Sequence, residues 1–410
     1  MHVLVLQRPG STARPDVWLA EAAPGVRVTL VTGRQTVRPD SDLAPGTRRV
    51  VLDGYDDGRS FEALADLCRR DTPDRIVANS EDDVLRAAEL RTTFGVPGQP
   101  SDVAVLFRDK IRMRALYRDP LVPPPGARGL RCAGDLLDAV RELGPVVVKP
   151  RSGAGSVGVR ILADRGTCLR ALADEPALVR AVGSGALMAE EYLPGDVLHV
   201  DALVREDRVV LASASRYTTP PHTFVTHNLG SVMLDETSTA YRTTTAAVRR
   251  LVAGLPRGHG VHVVHAEFYR LADGSFRAGE VACRVGGALV RDAVRHTYGV
   301  DLSRAASLLA VDAMDLPERG VLPRRAGPTG WLLWNGGPRV GFREPLPEWV
   351  VRYDRPDEAS RTPSSSVDAR AAVLVEGEDE AEVESRLSDA VRPHETFADH
   401  NRGEIHAARP

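Results

Sequence analysis

The chain has 410 residues, 43% hydrophobic and 27% charged, with a formal net charge of −3. That length exceeds one ordinary core and calls for two to four domains or subdomains, while basic residues spread in ones and twos offer neither a nucleic-acid groove nor a polybasic membrane patch. The opening apolar run "HVLVL" is too short for a signal peptide and no membrane-spanning run follows. The four cysteines (Cys68, Cys132, Cys168, Cys283) have no metal-ligand or redox spacing, so a reduced cytoplasmic protein is expected.

Four short β-rich runs come first: "HVLVL", "VRVTLVT", "RRVVLD" and "RIVANS". Helical patterns lie between and after them, notably "SFEALADLCRR" and "SEDDVLRAAELRTTFG", the second opening on a capping-box pattern (Ser80, Asp83) and ending at Gly95. Strands alternating with helices predict a small parallel α/β domain over roughly the first hundred residues. It lacks a G-x-G-x-x-G after its first strand and is not read as a dinucleotide site. "FRDKIRMRALYRD" reads as a basic helix and "PLVPPPGARGL" as a proline-rich break. From "PVVVKP" onward the strands come in hairpins, with helices such as "ADRGTCLRALADEP" between them, an α+β pattern. A second break, "LPERGVLPRRAGPTG", precedes "WLLWNGG", "GFREPLPEWVVRYD", the Ser/Pro-rich "SRTPSSSVDAR" and a strand–helix pair, "AAVLVEGEDEAEVESRLSDAV". The last dozen residues read as frayed.

Of 53 basic residues only two are lysines, Lys110 and Lys149. Lys149 ends an apolar run just before "GAGSVG" (Gly153, Gly155, Gly158). A Rossmann turn would need a helix after the glycines, but "VGVRIL" reads as strand. A Walker loop would end in Gly-Lys-Ser/Thr, and a kinase would carry its lysine after the loop. What remains is a strand–loop–strand hairpin. Either its tip folds over phosphates, with Ser152 and Ser156 as hydroxyl donors, or it is a glycine-rich surface hairpin.

"VHVVHAEFYRLADGSFRAGEVACRVGG" carries a hairpin signal at Asp273-Gly274. A two-residue turn there places Glu267 directly opposite Glu280, on one face with His265, Ala282 and Arg284. The other face holds Val264, Ala266, Phe268, Val281, Cys283 and Val285, which makes Cys283 a buried thiol rather than a nucleophile. Two carboxylates about 5 Å apart repel by roughly 3 kcal/mol at an effective dielectric near 20. A hard cation such as Mg²⁺ between them relieves that; the alternative is a solvated face with splayed glutamates and Arg284 as counter-ion.

With these segments in order, the chain resembles the ATP-grasp superfamily of carboxylate–amine (or thiol) ligases. The resemblance implies an ATP-grasp fold of α/β plus α+β class: an N-terminal Rossmann-like pre-grasp domain (1–105), a small subdomain (106–187), a large subdomain (188–320) and a C-terminal α+β part (321–410). It implies ATP and Mg²⁺ (or Mn²⁺) as cofactors. Lys110, Lys149, Ser152, Gly153, Gly155, Ser156 and Gly158 would meet the phosphates, the hinge Glu190, Glu191, Tyr192 and Leu193 the adenine, and Glu267 and Glu280 the metal. Lys149 and Arg284 would be catalytic, and Arg284, Gly286 and Gly287 would hold substrate oxygens. His199 stands between nucleotide ligand and packing residue. Arg216 and His227, in the long loop "SRYTTPPHTFVTHNLGS", stand between acceptor contacts and ordinary surface. Two departures are Ala282, where the family often has Asn, and Val197, beside Asp196, at the usual ribose-binding acid. The implied chemistry is activation of a carboxylate, read as an amino acid's, as an acyl phosphate, followed by attack of an amine, with ADP and phosphate released. A carrier-protein thiol as acceptor, a bicarbonate-using carboxylase and a non-catalytic ATP-binding regulator are the alternatives. The implied partners are small-molecule carboxylate and amine substrates, with room for a carrier protein and a homodimer, and no nucleic acid or membrane.

Overall fold

The computed structural model describes residues 1–34, 39–55, 57, 59–317, 320–335, 338–342, 345–355 and 367–391. Most of "SRTPSSSVDAR" and all of the last dozen residues lie outside that set. Three sheets follow one another along the chain. The first is parallel, in the order β3-β2-β1-β4, with β1 His2–Leu6, β2 Arg27–Gly33, β3 Arg48–Leu52 and β4 Arg75–Ala78. Its strands are apolar on both faces because helices cover both sides. Leu4 and Leu6 join one core and Val3 and Val5 the other. The helix Asp83–Phe94 ends at Gly95 in the left-handed conformation, as its sequence predicts. Its start differs from the capping box: Asp83 is buried and takes hydrogen bonds from the Tyr55 and Ser80 hydroxyls instead.

The second sheet, β5-β8-β6-β7, is antiparallel and comprises β5 Ala127–Gly129, β6 Val146–Pro150, β7 Arg160–Leu162 and β8 Leu187–Glu191. Three helices, Ala133–Leu143, Arg165–Asp174 and Pro176–Gly183, cover it around Leu130, Leu136, Val146 and Leu178. The basic segment before it is not one helix. Asp109 accepts from the Ile111 amide and starts a fresh turn at Lys110, flanked by 3-10 turns.

The third sheet has eight antiparallel strands in the order β13-β12-β9-β10-β11-β14-β16-β15. They are β9 Gly195–Arg205, β10 Arg208–Tyr217, β11 Leu229–Met233, β12 Val263–Leu271, β13 Phe276–Ala282, β14 Thr329–Leu333, β15 Val350–Asp354 and β16 Ala372–Glu376. The last three strands come from the segment after residue 320 and extend the sheet's edge. Period-two alternation divides β9: Leu198, Val200, Ala202 and Val204 pack under the helix Thr239–Ala253, whereas Leu203 faces the helices Val290–Tyr298 and Leu302–Leu309. His199 and Asp201 share Leu203's face, opposite Glu267 and His265 of β12.

The β12–β13 turn corrects the expected register. Its loop has three residues, Ala272 to Gly274, closed by the Leu271 amide on Ser275 O at 2.9 Å, and Gly274 takes φ +80°. Rungs near the turn are therefore one residue out of the expected pairing (Phe268↔Ala278), and a bulge after Ala266 restores it at Ala266↔Val281. The bulge falls opposite Glu267, so Glu267 and Glu280 still open onto one cavity.

Candidate active site

A cavity of about 680 Å³ lies where the three sheets meet. Lys149, on β6, is buried, with Nζ 2.8 Å from Glu190 Oε1 and 3.0 Å from Glu280 Oε1. Lys110 opens its helical turn, also buried, and donates to Gly153 O at 2.7 Å while lying 3.3 Å from Glu280 Oε2. Burial opposes the charge on Lys149, but Glu280 and Glu190 outweigh it and hold the ammonium above its ordinary pKa. Burial likewise opposes the Glu280 charge, and Lys110 and Lys149 hold that carboxyl below the usual range. Two cations thus share one carboxylate.

The β6–β7 connection is the glycine loop. Gly155, Ser156 and Gly158 all have positive φ, the conformation glycine adopts without strain. The base of the loop is tied down: Arg108 donates to Ser152 O at 2.6 Å and the Lys110 amide to Arg151 O at 2.9 Å. At the hinge, the Glu191 amide bonds Gly126 O and the Tyr192 amide bonds Pro145 O. The Leu193 amide makes no bond among the described residues. Val147, Ile161, Val197 and Tyr269 add an apolar slot beside it. Val197 is the residue the sequence placed at the usual ribose-binding acid; Val147, Ile161 and Tyr269 were not singled out, although alternation along β6 and β12 places Val147 with Lys149 and Tyr269 with Glu267.

Glu267 Oε1 is 3.7 Å from His265 Nε2, and its charge, after burial, helps raise the Tyr217 hydroxyl well above its ordinary pKa. Two carboxylates converging beside two lysines are hard oxygen donors suited to Mg²⁺ shared with phosphates. Arg284 donates from Nε to Glu81 Oε2 at 2.5 Å and also bonds Val285 O, and Glu81 accepts from Arg108 as well. Glu81 and Arg108 were not singled out from sequence. Their roles depend on how the first sheet's loops dock against the third, which no local pattern encodes.

Among the expected site residues, Lys110, Lys149, Ser152, Gly153, Gly155, Ser156, Glu191, Tyr192, Leu193, Glu267, Glu280, Arg284 and Gly287 line the cavity. Gly158 sits at the loop's exit, and the Glu190 side chain turns behind Lys149 onto Arg114 at 3.1 Å. Arg216 points away. It shares a sheet face with Leu198 and Val232, its rung partners, and pairs with Glu384 and Glu380 of the helix Glu380–Val391. Its neighbour Tyr217 is the residue that alternation sends to the cavity. His227 is exposed, 2.8 Å from Thr226 Oγ1, while His222 of the same loop reaches the cavity wall.

His199 is buried and does not line the large cavity. Its Nδ1 lies 2.7 Å from Asp201 Oδ2 and its Nε2 2.8 Å from Ser231 Oγ. Asp201 Oδ1 lies 2.9 Å from His265 Nδ1. Both Asp201 oxygens are thereby taken by imidazoles. Gly286 belongs to this support: a Cβ there would come within 2.7 Å of Asp201 Oδ1 and 2.8 Å of His265 Nδ1. Beyond Arg284 the cavity is walled by Tyr217, Leu229, Trp331, Val285 and Ala288, with the Tyr217 and Trp331 rings edge-to-face at 6.2 Å.

No family model matches the chain. It is 24% identical over 323 residues to an L-arginine-specific L-amino acid ligase of Bacillus subtilis, covering 75% of this chain and 77% of that one. It is 30% identical over 353 residues to carnosine synthase 1 of Gallus gallus, covering 79% of this chain but 36% of the relative. Among solved structures, the L-amino acid ligase of Bacillus licheniformis superposes with a TM-score of 0.72 at 17% identity, over 95% of this chain and 98% of that one. The biotin carboxylase domain of Hydrogenobacter thermophilus 2-oxoglutarate carboxylase, solved with magnesium ADP and bicarbonate, gives 0.69 at 17% identity over 95% and 89%. The fold is that of the ATP-grasp proteins, and the chain is an ATP-grasp enzyme of the carboxylate–amine ligase class. Among the described residues no helix is long and apolar enough to cross a membrane.

Proposed function

We infer that the chain uses ATP to activate an amino-acid carboxylate and joins it to an amine, making an amide or peptide bond and releasing ADP and phosphate. The observation that carries this reading is the convergence of Lys110, Lys149 and Glu280, with Glu267 and Arg284 around one cavity. The two carboxylates would hold Mg²⁺, which supplies charge neutralisation at the transferring phosphoryl group. Adenine lies in the slot between Val147, Ile161 and Tyr269 with the Leu193 amide as donor. Lys149 and Lys110 bind phosphate oxygens in a water-poor setting where fixed cations act strongly. Arg284 orients the carboxylate so that one of its oxygens attacks the γ-phosphorus. The bond to the ADP oxygen breaks, and the phosphoryl group ends on the carboxylate as an acyl phosphate. The amine nitrogen then attacks the acyl carbon and phosphate leaves.

The wall of Tyr217, Leu229, Trp331 and Val285 supports an apolar or aromatic side chain on the activated acid. The test is product analysis with a panel of L-amino acids, alone and in pairs. The expected result is ADP and phosphate in step with dipeptide, with apolar acids favoured over arginine as the activated partner. AMP and pyrophosphate as products would overturn the acyl-phosphate route.

A further inference from the structure

A second, smaller cavity of about 50 Å³ lies between the first sheet and the third. Asn79, Arg91, Gln99, His262 and Cys283 line it, and Arg284 and Val285 line both it and the large cavity, so they form the wall between the two. Arg91 is 9% exposed and has no carboxylate partner among the described residues. Its Nη2 donates to Ile76 O at 2.6 Å and its Nη1 to Gln99 O at 3.5 Å, while its Nε is buried without a partner. Gly98 keeps that side open: a Cβ there would stand 2.8 Å from Nε. Glu81, the acid of the neighbouring Arg284 and Arg108, is already shared by both. Glu81 is thus committed to Arg284 and Arg108, and the buried Arg91 guanidinium beside this seam has no carboxylate of its own among the described residues.

A buried charge without a counter-ion is costly, and proteins compensate it with a partner. Burial pushes the Arg91 guanidinium down only to about 10, so it keeps its charge at neutral pH. Burial, and then the charge of Arg91, pushes His262 down to about 4, leaving a neutral ring that can turn an N–H toward an anion. Cys283, raised to about 11 by burial, stays a thiol and supplies no negative charge. The space admits roughly three or four waters, or one ion of similar bulk. An amino acid or nucleotide does not fit.

We propose that this cavity seats one small monovalent anion of halide size, with Arg91 as its counter-charge. The occupant neutralises the seam behind Arg284 and so ties the first sheet's loops to the end of β13. A dianion would overcompensate the single free charge. The experiment uses the whole nucleotide-free chain. Thermal unfolding is compared in sodium chloride, bromide and gluconate at equal ionic strength, and crystals soaked in bromide are measured for anomalous scattering. The expected result is a Tm about 1–3 °C higher in the two halides than in gluconate, an anomalous peak beside Arg91, and loss of the halide difference in Arg91→Met. If Arg91→Met does not fold, the bromide peak in the unaltered chain decides. Equal Tm in all three salts, or a cavity without a bromide peak, would mean that it holds only water and would overturn the proposal.

Discussion

Lys149 touches two carboxylates at once, and that geometry explains why a chain so rich in arginine keeps lysine there. A compact ammonium fits between Glu190 and Glu280, whereas a planar guanidinium is wider and asks for a forked partner. Lys149→Arg should keep charge and fold but lower turnover about 10²-fold or more, the size of a misplacement effect; steady-state ADP release would measure it, and unchanged turnover would show that charge alone suffices. His265 makes a prediction about pH. Burial opposes its charge, but Asp201 outweighs burial and raises its pKa to about 9. A group raised in the folded state contributes stability that is fully present below its unfolded pKa near 6.5 and lost as pH rises through the folded value. Stability of the nucleotide-free chain should therefore decline between about pH 6.5 and 9 through this group. Denaturant titrations of His265→Gln across that window should show a shallower decline; an identical slope would place the effect elsewhere.

At the scale of the element, the β12–β13 hairpin separates the folding role of glycine from its site role. Gly274 has φ +80° and open space where a Cβ would stand, with no atom within 4 Å, so Gly274→Ala is a backbone-strain change costing about 1 kcal/mol. Gly279 sits in the bulge, where a Cβ would meet Glu267 O at 3.0 Å and the Tyr269 ring at 3.2 Å. Gly279→Ala should therefore shift Glu267 and raise the Mg²⁺ concentration needed for half-maximal ATP turnover several-fold, while Gly274→Ala leaves it unchanged. Equal Mg²⁺ dependence in both variants would detach the bulge from the metal carboxylates. The same hairpin shows what a sequence can reveal. Alternation was enough to put Glu267, Glu280 and Arg284 on one side and Val264, Ala266 and Phe268 in the core. It was not enough for the loop length, because a third loop residue and a bulge cancel each other and leave the facing residues where a simpler turn would put them. Arg216 shows the reverse. Polar residues in a long loop were read as one group, although Arg216 still belongs to β10, where its parity sends it to the opposite face from Tyr217.

In the whole molecule the site is assembled by three sheets, and legibility falls with the distance between partners. Lys149 and its loop, or Glu267 and Glu280, are local patterns. Glu81 with Arg284 is a contact across 203 residues, made where the helix Leu302–Leu309 packs against both the first sheet and the third and where Gln99 meets Cys283. The glycine loop belongs to this scale too, since it hangs from the second sheet over a cavity whose floor is the third. Arg108 and Lys110 fasten the carbonyls of Ser152 and Gly153, while Val157, beyond them, is 55% exposed. A loop pinned at its base and open at its tip is built to close about that base. Phosphates entering beside Lys110 compete for the ammonium that now holds Gly153 O, and they give the amides of the tip a stronger partner. Amide hydrogen exchange should therefore be fast at residues 154 to 158 in the free chain and slow markedly when a non-hydrolysable ATP analogue and Mg²⁺ are added, with residues 146 to 149 of β6 changing little. If the tip exchanges as quickly with nucleotide as without it, the loop does not cover the phosphates, and the glycines serve only to turn the chain from β6 into β7.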